Sequence, residues 1–167
     1  MRKPLPDAEA ILGRLTDEMR RDVGPETGLV GIHTGGVWLA ERLHAALGLT
    51  VPLGALDVSF YRDDYELIGL HRDVKRSAIP FEVEGRPLVL VDDVLFTGRT
   101  IRAAMNELFD YGRPASIRLA ALIDRGGREL PIAAQWIGAT IDVAHGEIIE
   151  LKRLDDGRLS LTYYEQS

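Results

Sequence analysis

Residues 89–100 read Val89-Leu-Val-Asp-Asp-Val-Leu-Phe-Thr-Gly-Arg-Thr100, and this stretch decides the predicted fold. Residues 87–91 form an apolar, partly β-branched run, which is typical of a strand covered on both faces. After a polar loop, apolar residues recur at helical spacing before Gly112, in the stripe Ile101, Ala104, Met105 and Leu108. A buried strand that leads through a polar loop into a helix is the repeating unit of a parallel α/β sheet.

The same alternation continues in both directions along the chain. Helical periodicity predicts one helix over residues 7–22 and a second from Val37 to Leu47, which Gly48 ends. Further strands are predicted at residues 29–32, 52–60 and 116–123, with a hairpin formed by 147–154 and 158–164 around Asp155-Asp-Gly157. We therefore expect a single domain over residues 1–167, of the α/β class. Its sheet should be doubly wound and mainly parallel, with the hairpin as a C-terminal antiparallel addition.

The composition excludes several classes of protein. The 167 residues are 46% hydrophobic and 28% charged, which suits a globular domain with a full core rather than a disordered chain. The chain has no cysteine and no apolar run of the roughly 18 residues that a membrane span needs, so we expect a soluble, cytoplasmic protein. A formal charge of −6 argues against binding nucleic acid over the whole surface, although it leaves a local basic face open.

Asp92 and Asp93 stand at the end of the predicted buried strand. Two adjacent carboxylates there repel each other and lose hydration, so something must offset them. Magnesium or the hydroxyls of a sugar would do so, because ionised carboxylates are hydrogen-bond acceptors and hard oxygen ligands. The alternative is that one aspartate caps the following helix.

The loop Thr97-Gly-Arg-Thr100 opens the next predicted helix. Gly98 lets the backbone approach a ligand, the threonine hydroxyls donate hydrogen bonds, and the N–H groups of the helix start point at an anion. Neither a GxGxxG nor a GxxxxGK motif occurs in the chain. The acid pair and this loop, side by side, would hold the two ends of a ribose 5-phosphate.

Three polar loops each follow an apolar predicted strand, at residues 33–36, 92–100 and 124–128. The carboxyl ends of parallel strands meet at one edge of the sheet, where ligands bind. The sequence therefore predicts a single site built from these loops. The alternative, which applies most to residues 33–36, is that they are ordinary strand-to-helix turns, since such turns also favour Gly, Thr and Asp.

An apolar strand, two acids and a T-G-x-T loop together resemble the type I phosphoribosyltransferases. The likeness extends over most of the chain and points to one family within that superfamily. The chain is similar to the PyrR family of pyrimidine-operon regulators with uracil phosphoribosyltransferase activity. The residues that carry this resemblance are Leu56-Asp-Val-Ser-Phe-Tyr-Arg-Asp-Asp64, residues 89–100, Tyr111-Gly-Arg-Pro114 and Ile123-Asp-Arg-Gly-Gly-Arg-Glu-Leu-Pro-Ile132.

The resemblance implies a role for the acid pair and the loop behind it. Asp92 and Asp93 would be the catalytic acids, facing the ribose hydroxyls of phosphoribosyl pyrophosphate. They would also serve a magnesium ion that is held mainly through phosphoribosyl pyrophosphate itself. The ribose phosphate would be bound by the residues Val94, Leu95, Phe96, Thr97, Gly98, Arg99 and Thr100.

The resemblance also implies the remaining substrate contacts. Pyrophosphate would be bound at a strained peptide, for which the cis form is an option, by Thr34, Gly35 and Gly36, and by Arg72 and Lys75 from a mobile loop. The base would be contacted by Asp124, Arg125 and Arg128. The implied reaction joins uracil to the ribosyl 5-phosphate of phosphoribosyl pyrophosphate, giving UMP and pyrophosphate, in a homodimer or homotetramer.

The chain departs from the Gram-positive pattern of this family in two places. His33 and Gly36 stand where a Lys and an Arg are usual, and residues 139–147 lack the expected Lys-rich character. These changes weaken a basic surface, so a pyrimidine-operon mRNA leader is a less strongly implied partner than uracil. Two alternatives stay open: a UMP-sensing, RNA-binding transcription attenuation regulator with vestigial catalysis, and a phosphoribosyltransferase for another base, such as hypoxanthine or orotate.

Overall fold

The computed structural model describes residues 2–58 and 77–165 of the chain. Its elements are α1 (Ala8–Arg20), β1 (Gly28–Ile32), α2 (Gly35–Leu47), β2 (Gly54–Leu56), β3 (Pro87–Leu95), α3 (Arg99–Phe109), β4 (Ser116–Asp124), β5 (Trp136–Thr140), β6 (Glu147–Arg153) and β7 (Leu159–Glu165). In this part of the chain, no helix is long and apolar enough to cross a membrane.

Five strands form one parallel sheet in the order β2-β1-β3-β4-β5. The chain moves outward from β1 to β2 and then returns to the other side of β1 as β3, so the winding direction reverses between β1 and β3. This confirms the predicted doubly wound, mainly parallel sheet. Ligands of such sheets bind beyond the carboxyl ends of the strands at the point of reversal, which here lies between the loops after β1 and β3.

The sheet separates two apolar cores, because side chains along β3 alternate between its faces. Val89 and Val91 pack with α1, α2 and the hairpin on one face, whereas Leu88 and Leu90 pack with α3 on the other. All four side chains are fully buried. Burial on both faces explains why this strand reads as a nearly continuous apolar run.

The structure corrects the bounds of several predicted elements. β3 continues to Leu95, so the two aspartates lie inside the strand rather than after it. Its partner β4 keeps pairing as far as Asp124, and this ladder holds the polar end of β3 extended. α3 starts at Arg99, ahead of the predicted Ile101. The strand predicted at residues 52–60 is paired only over Gly54–Leu56, where β1 ends at Ile32, and its last two residues lie outside the described part of the chain.

β5 was not predicted from the sequence. It is five residues long and has a glycine, Gly138, at its centre, which normally weakens a strand. Here that glycine lets the backbone pack directly on the carbonyl of Leu122, and Arg14 of α1 donates a hydrogen bond to the carbonyl of Gly138. Tertiary contacts therefore make this strand, and local sequence does not reveal them.

β6 and β7 form the predicted antiparallel hairpin around Asp155-Asp-Gly157. The turn is closed by a hydrogen bond of 2.8 Å from Leu154 N–H to the carbonyl of Arg158, and Gly157 has a φ of +87°. The apolar face of the hairpin joins the core beside α1 and α2 through Ile149, Leu151, Leu159 and Leu161. The C-terminal addition is thus part of the same packed unit as the sheet.

Glu9 connects α1 to both α2 and the hairpin. Its carboxylate accepts hydrogen bonds of 2.5 Å and 3.2 Å from Arg42 and one of 3.1 Å from Leu159 N–H. The hydrogen bond from Arg42 is the main reason that the pKa of Glu9 lies below its usual value; burial opposes this effect and Leu159 N–H adds to it. The ionised carboxylate is therefore part of what docks the hairpin.

Replacing Glu9 by Gln is expected to lower the free energy of unfolding by about 1 kcal/mol at pH 7, the upper end for a solvent-exposed ion pair. Because the pKa is lower in the folded state, the charge stabilises the fold above the unfolded-state pKa and stops doing so as the pH falls through the folded-state pKa. Urea unfolding of parent and variant should therefore differ at pH 7 and converge as the pH falls through the lowered folded-state pKa of Glu9. Glu18→Gln, an exposed position on the same helix, is the control; a constant difference at all pH values would contradict the assignment.

Candidate active site

Three segments meet at the edge of the sheet where the winding reverses. We call them the β1 loop (residues 33–36, including the start of α2), the β3 loop (residues 95–100, including the start of α3) and the β4 segment (residues 124–132). The β1 loop contacts Asp93 of β3, and the β3 loop is hydrogen-bonded to the β4 segment. The three polar loops predicted to share one edge are therefore in direct contact.

The β1 loop packs closely on β3. The peptide bond between His33 and Thr34 is cis, as the resemblance implied for this loop. A Cβ added to Gly35 would collide with the carboxylate of Asp93, and one added to Gly36 would collide with the carbonyl of Val91. Glycine is required at both positions for the start of α2 to lie against β3.

Asp92 and Asp93 are both buried, with relative exposures of 3% and 8%. An Oδ1 atom of Asp92 accepts from Asp93 N–H at 2.9 Å, and Oδ1 of Asp93 accepts from Val94 N–H at 2.8 Å. The Oδ2 side of Asp93 lies against Gly35 of the β1 loop. Two carboxylates buried next to each other at a ligand-binding edge are costly to the fold, which is typical of a functional site.

The β3 loop leads into α3 through Gly98, the N-cap residue, at a φ of +94°. The φ requires glycine, and the packing favours it, because a Cβ at this position would lie 3.0 Å from the side chain of Ile132. Thr97 is buried, and its hydroxyl oxygen accepts a hydrogen bond of 3.2 Å from Arg99 N–H. This geometry places the first turn of a helix at the edge of the sheet, where its N–H groups favour an anion.

The other predicted ribose-phosphate residues differ in what they expose. The side chain of Leu95 is buried in the core beneath α3, and that of Val94 packs against the opposite core. Leu95 can therefore meet a ligand only through its backbone, whereas the side chain of Val94 is partly exposed. Thr100 lies in the first turn of α3, and Arg99 there pairs with Glu129 of the β4 segment at 3.0 Å.

Asp124 and Arg128 form an ion pair inside the β4 segment, with 2.7 Å between Oδ2 and Nη2. Burial by itself would raise the pKa of Asp124, but the hydrogen bond from Arg128, with that from Gly126 N–H, outweighs burial and holds the pKa below its usual value. Arg128 also donates to the carbonyls of Phe96 and Ile132, at 2.7 Å and 2.9 Å. These hydrogen bonds connect the predicted base-binding arginine to the β3 loop and to both ends of the β4 segment.

Arg125 and the aromatic ring of Phe96 form a second link between the β3 loop and the β4 segment. The guanidinium carbon lies 3.9 Å from the ring centroid, a cation–π distance, and Nη1 donates to the carbonyl of Glu147 at the start of β6. Gly127, at a φ of +80°, packs against the same ring, where a Cβ would lie 2.5 Å from a ring carbon. The contact of Arg125 and Gly127 with the ring of Phe96 was not predicted from the sequence. The only feature of the sequence that indicates such close packing is the pair of adjacent glycines in Asp124-Arg-Gly-Gly-Arg128.

Arg72 and Lys75, the predicted pyrophosphate contacts from a mobile loop, lie outside the described residues. Within the described ranges, there is no group of three or more His, Asp or Glu side chains that could hold a metal ion on its own. Asp92 and Asp93 supply a pair of hard oxygen donors, which fits an ion that takes its other ligands from substrate and water.

Comparison with known proteins defines the class of protein. A family model of the phosphoribosyl transferase domain matches residues 3–148. A hypoxanthine-guanine phosphoribosyltransferase from Bacillus anthracis superposes with a TM-score of 0.66 over 84% of this chain and 85% of its own, at 19% sequence identity. That likeness shows the fold alone. The fold and the family model together define a phosphoribosyltransferase domain.

Relatives of higher identity narrow this class to one family. The chain is 53% identical over 152 residues to the bifunctional protein PyrR of Pseudomonas paraeruginosa, covering 88% of this chain and 89% of that protein. It is 50% identical over 153 residues to the bifunctional protein PyrR of Nitrosococcus oceani, covering 90% and 86%. The chain belongs to the PyrR family, and the resemblance predicted from its motifs is confirmed.

Proposed function

We propose that this chain transfers the ribosyl 5-phosphate group of phosphoribosyl pyrophosphate to a ring nitrogen of uracil, forming UMP and releasing pyrophosphate. The observation that carries the proposal is the meeting of a buried acid pair with a glycine-capped helix start, where the sheet reverses. Such an edge suits a ligand with hydroxyls at one end and a phosphate at the other. Membership of the PyrR family supports uracil as the acceptor.

Each segment then has a part of the substrate to hold. The backbone N–H groups of Thr97 to Thr100 bind the 5-phosphate, and Asp92 and Asp93 bind the ribose hydroxyls. Thr34, Gly35 and Gly36 offer backbone N–H groups to the pyrophosphate, with Arg72 and Lys75 adding charge from outside the described region. The close approach of Gly35 to Asp93 supports this division, because a residue proposed for the pyrophosphate lies next to one proposed for the ribose.

The reaction exchanges one bond at the ribose for another. The bond from C1′ to the pyrophosphate oxygen breaks with its electron pair going to that oxygen, and a nitrogen of uracil forms the new bond to C1′. Positive charge builds on the ribose ring as the first bond lengthens, and fixed carboxylates nearby stabilise it without reorganising. Uracil releases its N–H proton in the same turnover; we assign no residue of the described chain as its acceptor.

Magnesium is the cofactor in this proposal. Asp92 and Asp93 are the residues that would hold it, together with oxygens of phosphoribosyl pyrophosphate, and both are the oxygen donors that this ion prefers. When bound, it neutralises charge on the departing pyrophosphate. The chain's own contribution is to keep the two carboxylates buried, fixed by neighbouring N–H groups and packed against the β1 loop.

A panel of bases tests the proposal. The purified chain is incubated with phosphoribosyl pyrophosphate, magnesium and uracil, hypoxanthine or orotate in turn, and pyrophosphate release is measured. We expect turnover with uracil at least about a hundredfold above the other two, since a site that hydrogen-bonds one base leaves buried polar groups unpaired with another. Turnover with hypoxanthine and none with uracil would contradict uracil as the acceptor, while phosphoribosyl transfer would remain the reaction class.

Regulation of pyrimidine synthesis is a second proposed function, which the word "bifunctional" in the names of relatives at 50% and 53% identity favours. The partner would be a pyrimidine-operon mRNA leader, bound by a homodimer or homotetramer in response to UMP. The same panel separates a regulator with vestigial catalysis from an enzyme. The regulator binds UMP, measured by calorimetry, and shows no turnover with any base.

A further inference from the structure

Three successive carbonyl groups of the β3 loop are hydrogen-bonded to the β4 segment. Arg125 N–H donates to the carbonyl of Leu95 at 3.0 Å, and Glu129 N–H donates to that of Thr97 at 2.9 Å. Between them, Nη1 of Arg128 donates to the carbonyl of Phe96 at 2.7 Å. The middle bond differs from the other two because it depends on a side chain.

These hydrogen-bonded carbonyls fix the direction of the N–H group in each of the same peptide units. In a planar trans peptide, the C=O of one residue and the N–H of the next point to opposite sides. Among the described residues, the only cis bond is that between His33 and Thr34, so the peptides of the β3 loop are trans. The N–H groups of Phe96, Thr97 and Gly98 are therefore turned away from the β4 segment. Thr97 N–H is directed by the Arg128 contact.

The contacts of Arg128 use its whole guanidinium group. Nε donates to Ile132, Nη1 to Phe96 and Nη2 to Asp124, all at 2.7–2.9 Å. Its acceptors lie in the β3 loop and at both ends of the β4 segment. A planar group with donors on three nitrogens can satisfy these separated acceptors at once, whereas the compact ammonium of lysine cannot.

From this geometry we infer that Arg128 is a positioning residue for the 5-phosphate, and that it acts through the carbonyl of Phe96 rather than by touching the base. This inference rests on the proposed function and deepens it. Arg128 ties the segment expected to recognise the base to the loop expected to bind the phosphate. Without the hydrogen bond from the Arg128 guanidinium group, the Phe96–Thr97 peptide is free to rotate. A rotated peptide presents a carbonyl to the phosphate instead of an N–H.

The test uses Arg128→Gln and Arg128→Lys, with Arg86→Gln as the matched control. Arg86 also donates to two backbone carbonyls, those of Glu26 and Glu82, at 2.8 Å and 2.7 Å, on a part of the surface outside the three segments. The probe is ribose 5-phosphate, which carries the phosphate and no base, and its Kd is measured by calorimetry. The KM values for phosphoribosyl pyrophosphate and for uracil are measured in the same proteins.

We expect both Arg128 variants to raise the Kd for ribose 5-phosphate and the KM for phosphoribosyl pyrophosphate by about tenfold or more, the effect of misplacing one hydrogen bond to a charged group. The KM for uracil should change by less than about threefold. Arg86→Gln should change none of these constants. Arg128→Lys keeps a positive charge beside Asp124, so the test does not depend on folding of the neutral variant.

An unchanged Kd for ribose 5-phosphate together with a raised KM for uracil would overturn the inference, because Arg128 would then contact the base. Equal losses of ribose 5-phosphate affinity in the Arg128 and Arg86 variants would also overturn it, because the effect would be one of general stability. Failure of the proposed function looks different: the parent protein would bind ribose 5-phosphate and form no UMP.

Discussion

The Asp92→Asn/Asp93→Asn variant is expected to form UMP at least about a thousandfold more slowly than the parent while remaining folded. Asparagine keeps the size of aspartate and an oxygen that can accept from Asp93 N–H or Val94 N–H, so the hydrogen bonds at this end of β3 are retained. It lacks the negative charge that would stabilise the ribose ring as pyrophosphate departs. Removing one group that stabilises developing charge typically slows an enzyme about 10²–10³-fold, and this variant removes two.

Folding of the same variant provides the control. Two buried carboxylates are costly to hold next to each other, so neutral amides should leave the free energy of unfolding unchanged or higher. Initial rates of UMP formation and urea unfolding curves would be measured on the same preparations. A folded variant that formed UMP at the parent rate would show that the acid pair has no part in the reaction.

Gly35→Ala is expected to have the second largest effect, a loss of about a hundredfold in kcat/KM for phosphoribosyl pyrophosphate. The added methyl group meets the carboxylate of Asp93, so either the start of α2 or the carboxylate must move. A displacement of about 1 Å in a substrate-positioning group is enough for a loss of this size. Overpacking should also lower the free energy of unfolding by about 1–3 kcal/mol.

Gly13→Ala is the matched control for this substitution. Gly13 lies within α1, and a Cβ there would have no atom within 4 Å. Alanine at this position should raise the free energy of unfolding by about 0.5–1 kcal/mol through helix propensity, with unchanged kinetics. If Gly35→Ala kept parent kinetics as well, the close approach of the β1 loop to Asp93 would be irrelevant to the reaction.

The sequence predicted the parts of the molecule in which local pattern and tertiary role agree. Residues 89–100 show this best, because one short stretch combines a doubly buried strand, an acid pair and a glycine before a helix. β5 shows the opposite case. Its central Gly138 argues against a strand locally, and the contacts that stabilise it come from Leu122 and from Arg14, far away in the chain.

The position of the site was predictable from the sequence, whereas the hydrogen bonds inside it were less so. That three polar loops share one edge follows from the parallel order of the strands, and the structure brings them into contact. That Arg128 would bind the carbonyl of Phe96 does not follow, since sequence does not reveal which acceptor a long side chain reaches. The identity of the base is also not predictable from local pattern. No residue pattern in the chain specifies uracil by itself, and family membership supplies that assignment.

The proposed reaction is measured most directly in the uracil arm of the base panel, with UMP itself detected. The purified chain, phosphoribosyl pyrophosphate, magnesium and uracil are combined, and UMP and pyrophosphate are quantified over time. UMP and pyrophosphate should accumulate in equal amounts, and neither should appear when uracil is left out. Absence of UMP from a folded parent protein that binds ribose 5-phosphate would contradict the proposed reaction.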